Sequence, residues 1–125
     1  AGLVIIALVA LTTSRTRLFH VLKEASGFVY YVSITGITGT GSASQAQLEE
    51  ALPKIREATD LPVAIGFGIS TPEQARAASR IGDAAVVASA LIKTMAGTLS
   101  EGQATAKTVP SVLKQLIELS AAVRG

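Results

Sequence analysis

Four times in 125 residues a short apolar run gives way to a segment whose apolar residues recur at helical spacing. That alternation constrains the fold more than any other feature, because a repeated strand-helix unit implies parallel strands joined by right-handed crossovers. The clearest unit spans residues 63–74. Val63-Ala64-Ile65 is apolar throughout rather than alternating, the pattern of a strand buried on both faces. Gly66 and Gly68 flank Phe67 and break the run. Thr71-Pro72-Glu73-Gln74 then restarts the chain as a helix, with Thr71 as N-cap, Pro72 at the first helical position and Gln74 completing a capping box. Glycines at the point where a strand becomes a loop let the backbone approach a ligand closely. Taken alone they suit a plain tight turn equally well, because short glycine pairs are weak motifs.

The other units follow the same plan. Residues 1–11 read as a buried strand, too short to cross a bilayer and with no basic segment before them. A chain opening on a core strand is expected to be a piece of something larger. Thr12-Thr13-Ser14 offers caps for a helix with Leu18, Phe19, Leu22 and Ala25 on one face, His20 beside that stripe at the surface, and Glu24 at its end. Residues 28–33 form the second strand. A glycine-, serine- and threonine-rich loop over 34–44 is long enough to predict a lid rather than an idle connector. The next helix carries Leu48, Ala51, Leu52 and Ile55, with Pro53 expected to kink or shorten it. After the third strand, Ala75, Ala78 and Ile81 face inward. The fourth strand is predicted over 84–88, with Ser89 capping a short helix to about Met95. An irregular polar stretch over 96–106 precedes a last helix from about Val109, with Val112, Leu113, Leu116 and Ile117 at helical spacing.

Composition narrows the chemistry. The chain fits one domain, residues 1–125, able to bury roughly two thirds of its unfolded surface. With 49% hydrophobic and only 16% charged residues, it predicts apolar surface awaiting a partner. The net charge of +2 is scattered, with no basic cluster among aromatics, so no nucleic-acid partner is expected, nor a membrane. No cysteine and a single histidine argue against thiolate chemistry, a metal site or a His-based triad.

Two architectures suit the repeat: a small open doubly wound sheet, or four consecutive units of an eight-stranded barrel. The short helix after the fourth strand favours the barrel. Barrels commonly bind phosphate between the loops after their last two strands and the N-terminus of a short extra helix. Gly66-Phe67-Gly68 ends one strand here, and Ala88-Ser89 joins the next to such a helix, supplying amide donors, a dipole end and a hydroxyl.

Residues 27–33, the glycine loop Thr35-Gly36-Ile37-Thr38-Gly39, residues 59–72 with Gly66-Phe67-Gly68-Ile69-Ser70, and residues 86–90 closely resemble, in order and spacing, the α subunit of tryptophan synthase. The resemblance covers essentially the whole chain but only the C-terminal half of that family's fold. It implies the fifth to eighth βα units of a TIM (β/α)8 barrel, an α/β half-barrel with parallel strands. It further implies a lyase of tryptophan biosynthesis, cytoplasmic or in a plastid. Such an enzyme cleaves indole-3-glycerol phosphate to indole and glyceraldehyde 3-phosphate by a retro-aldol reaction, needs no cofactor of its own, and passes indole to a β subunit. Residue by residue, the resemblance assigns phosphate binding to Gly39, Gly68, Ala88 and Ser89, the substrate pocket to Tyr30 and Phe67, and a lid role to Thr38. Ala88 stands where the family usually has glycine, and Leu11 where proline is common.

The family's catalytic Glu and Asp belong to the absent half. Asp60 and Asp83 precede strands, at the end opposite the phosphate site. Glu49, Glu50, Glu57, Glu73, Glu101 and Glu118 fall on helices or in the late polar stretch. Tyr30 is the one titratable side chain expected to face the site, and a phenol is a poor base near neutrality. Two functions of different class follow. One is a portion of the α subunit, supplying phosphate site and lid while its N-terminal half supplies the acid and base. The other is a stand-alone, inactive phosphate-binding or structural half-barrel that associates with itself to cover its open sheet.

Overall fold

A computed structural model describes residues 2–32, 41–66 and 68–125, and the side chains of all of these except 41–45. The elements run β1 (Ala7–Ala10), α1 (Arg15–Lys23), β2 (Val29–Val32), α2 (Gly41–Ala58), β3 (Val63–Gly66), α3 (Pro72–Ile81), β4 (Ala84–Ala85), α4 (Ser89–Ala96) and α5 (Thr108–Arg124). The four strands form one parallel sheet in the order β1-β2-β3-β4. A doubly wound sheet reverses its strand order and carries helices on both faces. Here the order is sequential, and α1, α2 and α3 pack on the same face. This is the arrangement of half a (β/α)8 barrel.

Register fixes the two faces. Ala7, Val29 and Val63 lie in one row, and Val9, Tyr31 and Ile65 in the next row of the same face. All six are buried against Leu18 and Leu22 of α1, Leu48, Leu52 and Ile55 of α2, and Ala75 and Ala78 of α3. The other face carries Leu8, Tyr30, Ala64 and Ala84 in one row. Leu8 there is 70% exposed. A sheet closed into a barrel would bury that face as its interior.

Side-chain caps start two of the helices. Ser14 caps α1 by accepting from the Arg17 amide. Thr71 caps α3 in a full capping box, its hydroxyl accepting from Gln74 N while the Gln74 side-chain Oε1 accepts from Thr71 N. At the N-terminal end of the sheet the Asp83 carboxylate accepts from Val63 N at 2.7 Å and from Arg56 at 2.6 Å.

Several boundaries differ from the sequence reading. Of residues 2–11 only Ala7–Ala10 are strand, and Leu3 to Ile6 are exposed: among the described residues Ile5 bonds to Ser26, but no strand pairs with them. Among the described residues the second strand covers Val29–Val32, starting one residue later than expected. Residues 41–44, expected in the loop, already belong to α2, while 33–40, with the proposed lid, lie outside the described residues. Helix α2 is continuous from Gly41 through Pro53 to Ala58, so Pro53 does not shorten it. Strand β4 has two residues instead of five: its ladder to β3 ends at Ala85, and beyond it the Val86 amide adds a single bond to Ile65 O. Phe19 is 44% exposed rather than packed with Leu18 and Leu22. Leu113, Leu116 and Ile117 of α5 are also exposed, and α5 buries Thr108, Leu119 and Ala122 instead.

Candidate functional site

The carboxyl ends of β2, β3 and β4 converge on a pocket of about 200 Å³ lined by Tyr30, Val32, Gly66, Gly68, Ile69, Val86, Ala88 and Ser89. Its floor follows from the pleat. Tyr30 and Val32 are two apart on one strand and so share a face, and Gly66 stands opposite Val32 in the ladder. This is the face turned away from the helices. Gly66 is glycine for a steric reason: a Cβ there would lie 2.5 Å from the Tyr30 hydroxyl and 3.0 Å from its ring carbon Cζ. Gly68 is glycine for a conformational one, since its φ of +66° is left-handed while the space around it is open.

Helix α4 forms one wall. Its N-cap is Ala88, at φ −128° and ψ −65°, and no side chain caps it. Ser89, expected as the cap, is instead the first helical residue. The first intrahelical bond runs from Ile92 N to Ala88 O at 3.1 Å. The amides of Ser89, Ala90 and Leu91 therefore precede the ladder and have no intrahelical acceptor. Aligned peptide dipoles add partial positive charge at that end. An exposed Gly68, an exposed Ser89 hydroxyl and free helical amides make a site suited to a small anion. No Lys or Arg lines the pocket, so the dipole and neutral donors alone would carry the attraction.

Of the residues singled out from sequence, the structure brings together Tyr30, Gly68, Ala88 and Ser89. Thr38, Gly39 and Phe67 lie outside the described residues. Val32, Ile69 and Val86 also line the pocket and were missed. Val32 was findable, because it follows Tyr30 by two on a strand; Val86 was assigned to the strand itself and Ile69 to the turn.

None of the nine carboxylates lines the pocket. Asp83 is held at the opposite end of the sheet. The hydrogen bond from the Val63 amide, followed by the Arg56 guanidinium, lowers its pKa below the ordinary aspartate value. His20 is exposed on α1. A larger cavity, about 360 Å³, lies on the helix side of the sheet between α1 and α2, lined among others by Tyr31, Arg15, Lys54 and Glu57. Its charges are already engaged: Arg15 pairs with Glu57 at 3.0 Å and Lys54 with Glu50 at 2.8 Å. Burial, with the nearby Glu50 charge, raises the Tyr31 pKa, so this phenol stays protonated at neutral pH. The smaller pocket is the better candidate, because ligands of parallel α/β folds bind at the carboxyl ends of the strands.

The family model described as "Tryptophan synthase alpha chain" matches residues 1–123. The tryptophan synthase alpha chain of Gluconobacter oxydans is 82% identical over 125 residues, which are 100% of this chain and 46% of that protein. That of Granulibacter bethesdensis is 63% identical over 124 residues, 99% of this chain and 45% of its own length. Among solved structures, the tryptophan synthase subunit alpha of Campylobacter jejuni superposes with a TM-score of 0.76 at 29% identity, over 94% of this chain and 44% of that one. The subunit alpha of Legionella pneumophila gives 0.78 at 27% identity, over 98% and 43%. The chain thus spans just under half the length of the curated relatives it matches.

Proposed function

The chain belongs to the tryptophan synthase alpha chain family, and from that premise we propose that it is the phosphate-holding half of an α subunit that cleaves indole-3-glycerol phosphate to indole and glyceraldehyde 3-phosphate. The observation that carries this reading is the pocket where Gly68 and the uncapped start of α4 meet beneath Tyr30. The phosphate sits against the Gly68, Ser89 and Ala90 amides and the Ser89 hydroxyl. The Ala88 methyl group narrows the approach without removing an amide. Tyr30 and Phe67 border the indole ring, Gly39 contributes a further amide to the phosphate, and Thr38 belongs to a lid over the substrate. In this arrangement the chain corresponds to the fifth to eighth βα units of the barrel, working beside a β subunit that receives the indole.

Cleavage of the carbon-carbon bond requires one group to protonate the indole carbon and another to handle the indole nitrogen proton. The absence of carboxylates from the pocket supports placing both groups on the remaining part of the barrel. The role of this half is to bind and orient the substrate, fixing the phosphate so that the reacting carbon meets groups held elsewhere.

Indole release tests this directly. The 125-residue chain alone is expected to release none from indole-3-glycerol phosphate. Substituted for the corresponding stretch of the Gluconobacter oxydans relative, it is expected to give an active lyase. Turnover by the chain alone, or a folded but inactive chimera, would overturn the reading.

A further inference from the structure

The loop from β3 to α3 carries Gly68 and is tied down by one side chain. Gln74 Oε1 accepts from Ser70 N at 2.8 Å, from Ser70 Oγ at 3.1 Å and from Thr71 N at 3.2 Å. In return Thr71 Oγ1 accepts from Gln74 N at 3.3 Å. Between these residues and Gly68 stands Ile69, 2% exposed and part of the core. The left-handed Gly68, at φ +66°, is therefore followed by a buried anchor and then by two residues bonded to a single oxygen.

An acceptor is all that this arrangement asks of residue 74. The Gln74 Nε2 group makes no hydrogen bond among the described residues. A carboxylate would serve the three donors better, because hydrogen bonds to a charged acceptor are about twice as strong as neutral ones. An acidic side chain also suits the positive end of a helix, and Glu completes a capping box as well as Gln does. Local stability thus favours Glu. What Gln alone supplies is the same oxygen without the charge.

The surroundings make that difference matter. The pocket shared by Gly68 and Ser89 has neither a basic nor an acidic side chain in its lining. Glu73, the carboxylate in the first turn of α3, lines a separate groove with Arg76 and Arg80. Gln74 Oε1 lies 2.8 Å from the Ser70 amide, two residues beyond Gly68. With about 3.5 Å of chain per residue and about 3 Å for an amide-to-anion bond, a charge on residue 74 would sit on the order of 10 Å from an anion at Gly68. On the reading of this pocket as an anion site, we infer that Gln74 is its positioning residue and that its neutrality protects the anion: the amide oxygen fixes the loop that presents Gly68 and adds no repelling charge.

Titration of inorganic phosphate into the 125-residue chain at neutral pH, paired with urea unfolding, separates the two roles. Gln74→Glu keeps the acceptor and adds the charge. Its urea midpoint is expected to equal or exceed that of the unaltered chain. Its phosphate affinity at about 0.01 M ionic strength should nevertheless be about three- to tenfold weaker, the effect of a unit charge on the order of 10 Å from a dianion. That gap should shrink at about 0.15 M, where the screening length falls from about 30 Å to about 8 Å. Gln74→Leu removes the acceptor and adds no charge. Its midpoint should fall, and its loss of phosphate affinity should be the same at both ionic strengths. A capping role alone would move stability and affinity together. Phosphate binding by Gln74→Glu equal to that of the unaltered chain, a loss indifferent to salt, or a midpoint as low as that of Gln74→Leu would each overturn the inference and leave the anion site standing. No saturable phosphate binding by the unaltered chain would overturn both.

Discussion

Gly66→Ala gives the sharpest test of how the pocket floor is built. An added Cβ would lie 2.5 Å from Tyr30 Oη, 3.0 Å from Cζ and 3.2 Å from Cε1. Contacts this short cannot be held, so either the strand or the ring must move. Inserting a methyl into a packed site costs about 1–3 kcal/mol. Tyr30 is only half-buried and borders an open pocket, so the ring can swing outward, and the lower part of that range, about 1–2 kcal/mol, is expected. For a chain of this length that is a fall in Tm of about 4 °C per kcal/mol. The test is a sign reversal. In a Tyr30→Ala background the clash is gone, and Gly66 does not have a positive φ. There Gly66→Ala should be neutral or stabilising by up to about 1 kcal/mol, through lost freedom of the unfolded chain. Urea unfolding of the four proteins, at one protein concentration because association shifts apparent stability, reads the coupling as a change in midpoint at constant slope. If Gly66→Ala cost the same in both backgrounds, Tyr30 would not be what the glycine accommodates.

Asp83 links stability to acid pH. Its folded pKa lies below the unfolded value, so its contribution is present above about pH 4 and lost as pH falls through the folded pKa. Both side chains of its ion pair are about 40% exposed, so Asp83→Asn should cost no more than about 1 kcal/mol at neutral pH. Urea midpoints at pH 7 and pH 3 should show the unaltered chain and the variant converging in acid; a constant difference would refute the linkage. Thr71→Ala removes the side-chain half of the α3 capping box and should cost about 1 kcal/mol in the same assay, with Ser surviving better than Ala at that position.

The elements that pack within this chain were legible, and those that pack beyond it were not. The stripe Leu48, Ala51, Leu52 and Ile55 is buried as its spacing predicts, and the α3 capping box forms from the residues that signal it. The spacing of Leu113, Leu116 and Ile117 is equally regular, yet these side chains face solvent. Hydrophobic periodicity marks a face for burial without saying what buries it, and none of the described residues covers that side of α5. The same holds for Leu3 to Ile6, which read as a strand but form no ladder with any described strand. Ser89 was misplaced for a different reason. The capping rule looks for a side-chain acceptor, whereas α4 starts at Ala88 with none. The missing cap, invisible to that rule, leaves the amides on which the proposed anion site depends.

Isothermal titration of inorganic phosphate into the 125-residue chain bears most directly on the central claim, that main-chain donors and one hydroxyl at two adjacent strand tips hold an anion without help from a basic side chain. Saturable binding is expected, weakened about tenfold by Ser89→Ala, the loss of one hydrogen bond to a charged group, and further by Gly68→Val, which cannot readily keep the left-handed backbone. No saturable binding, or an affinity that neither substitution alters, would contradict the account.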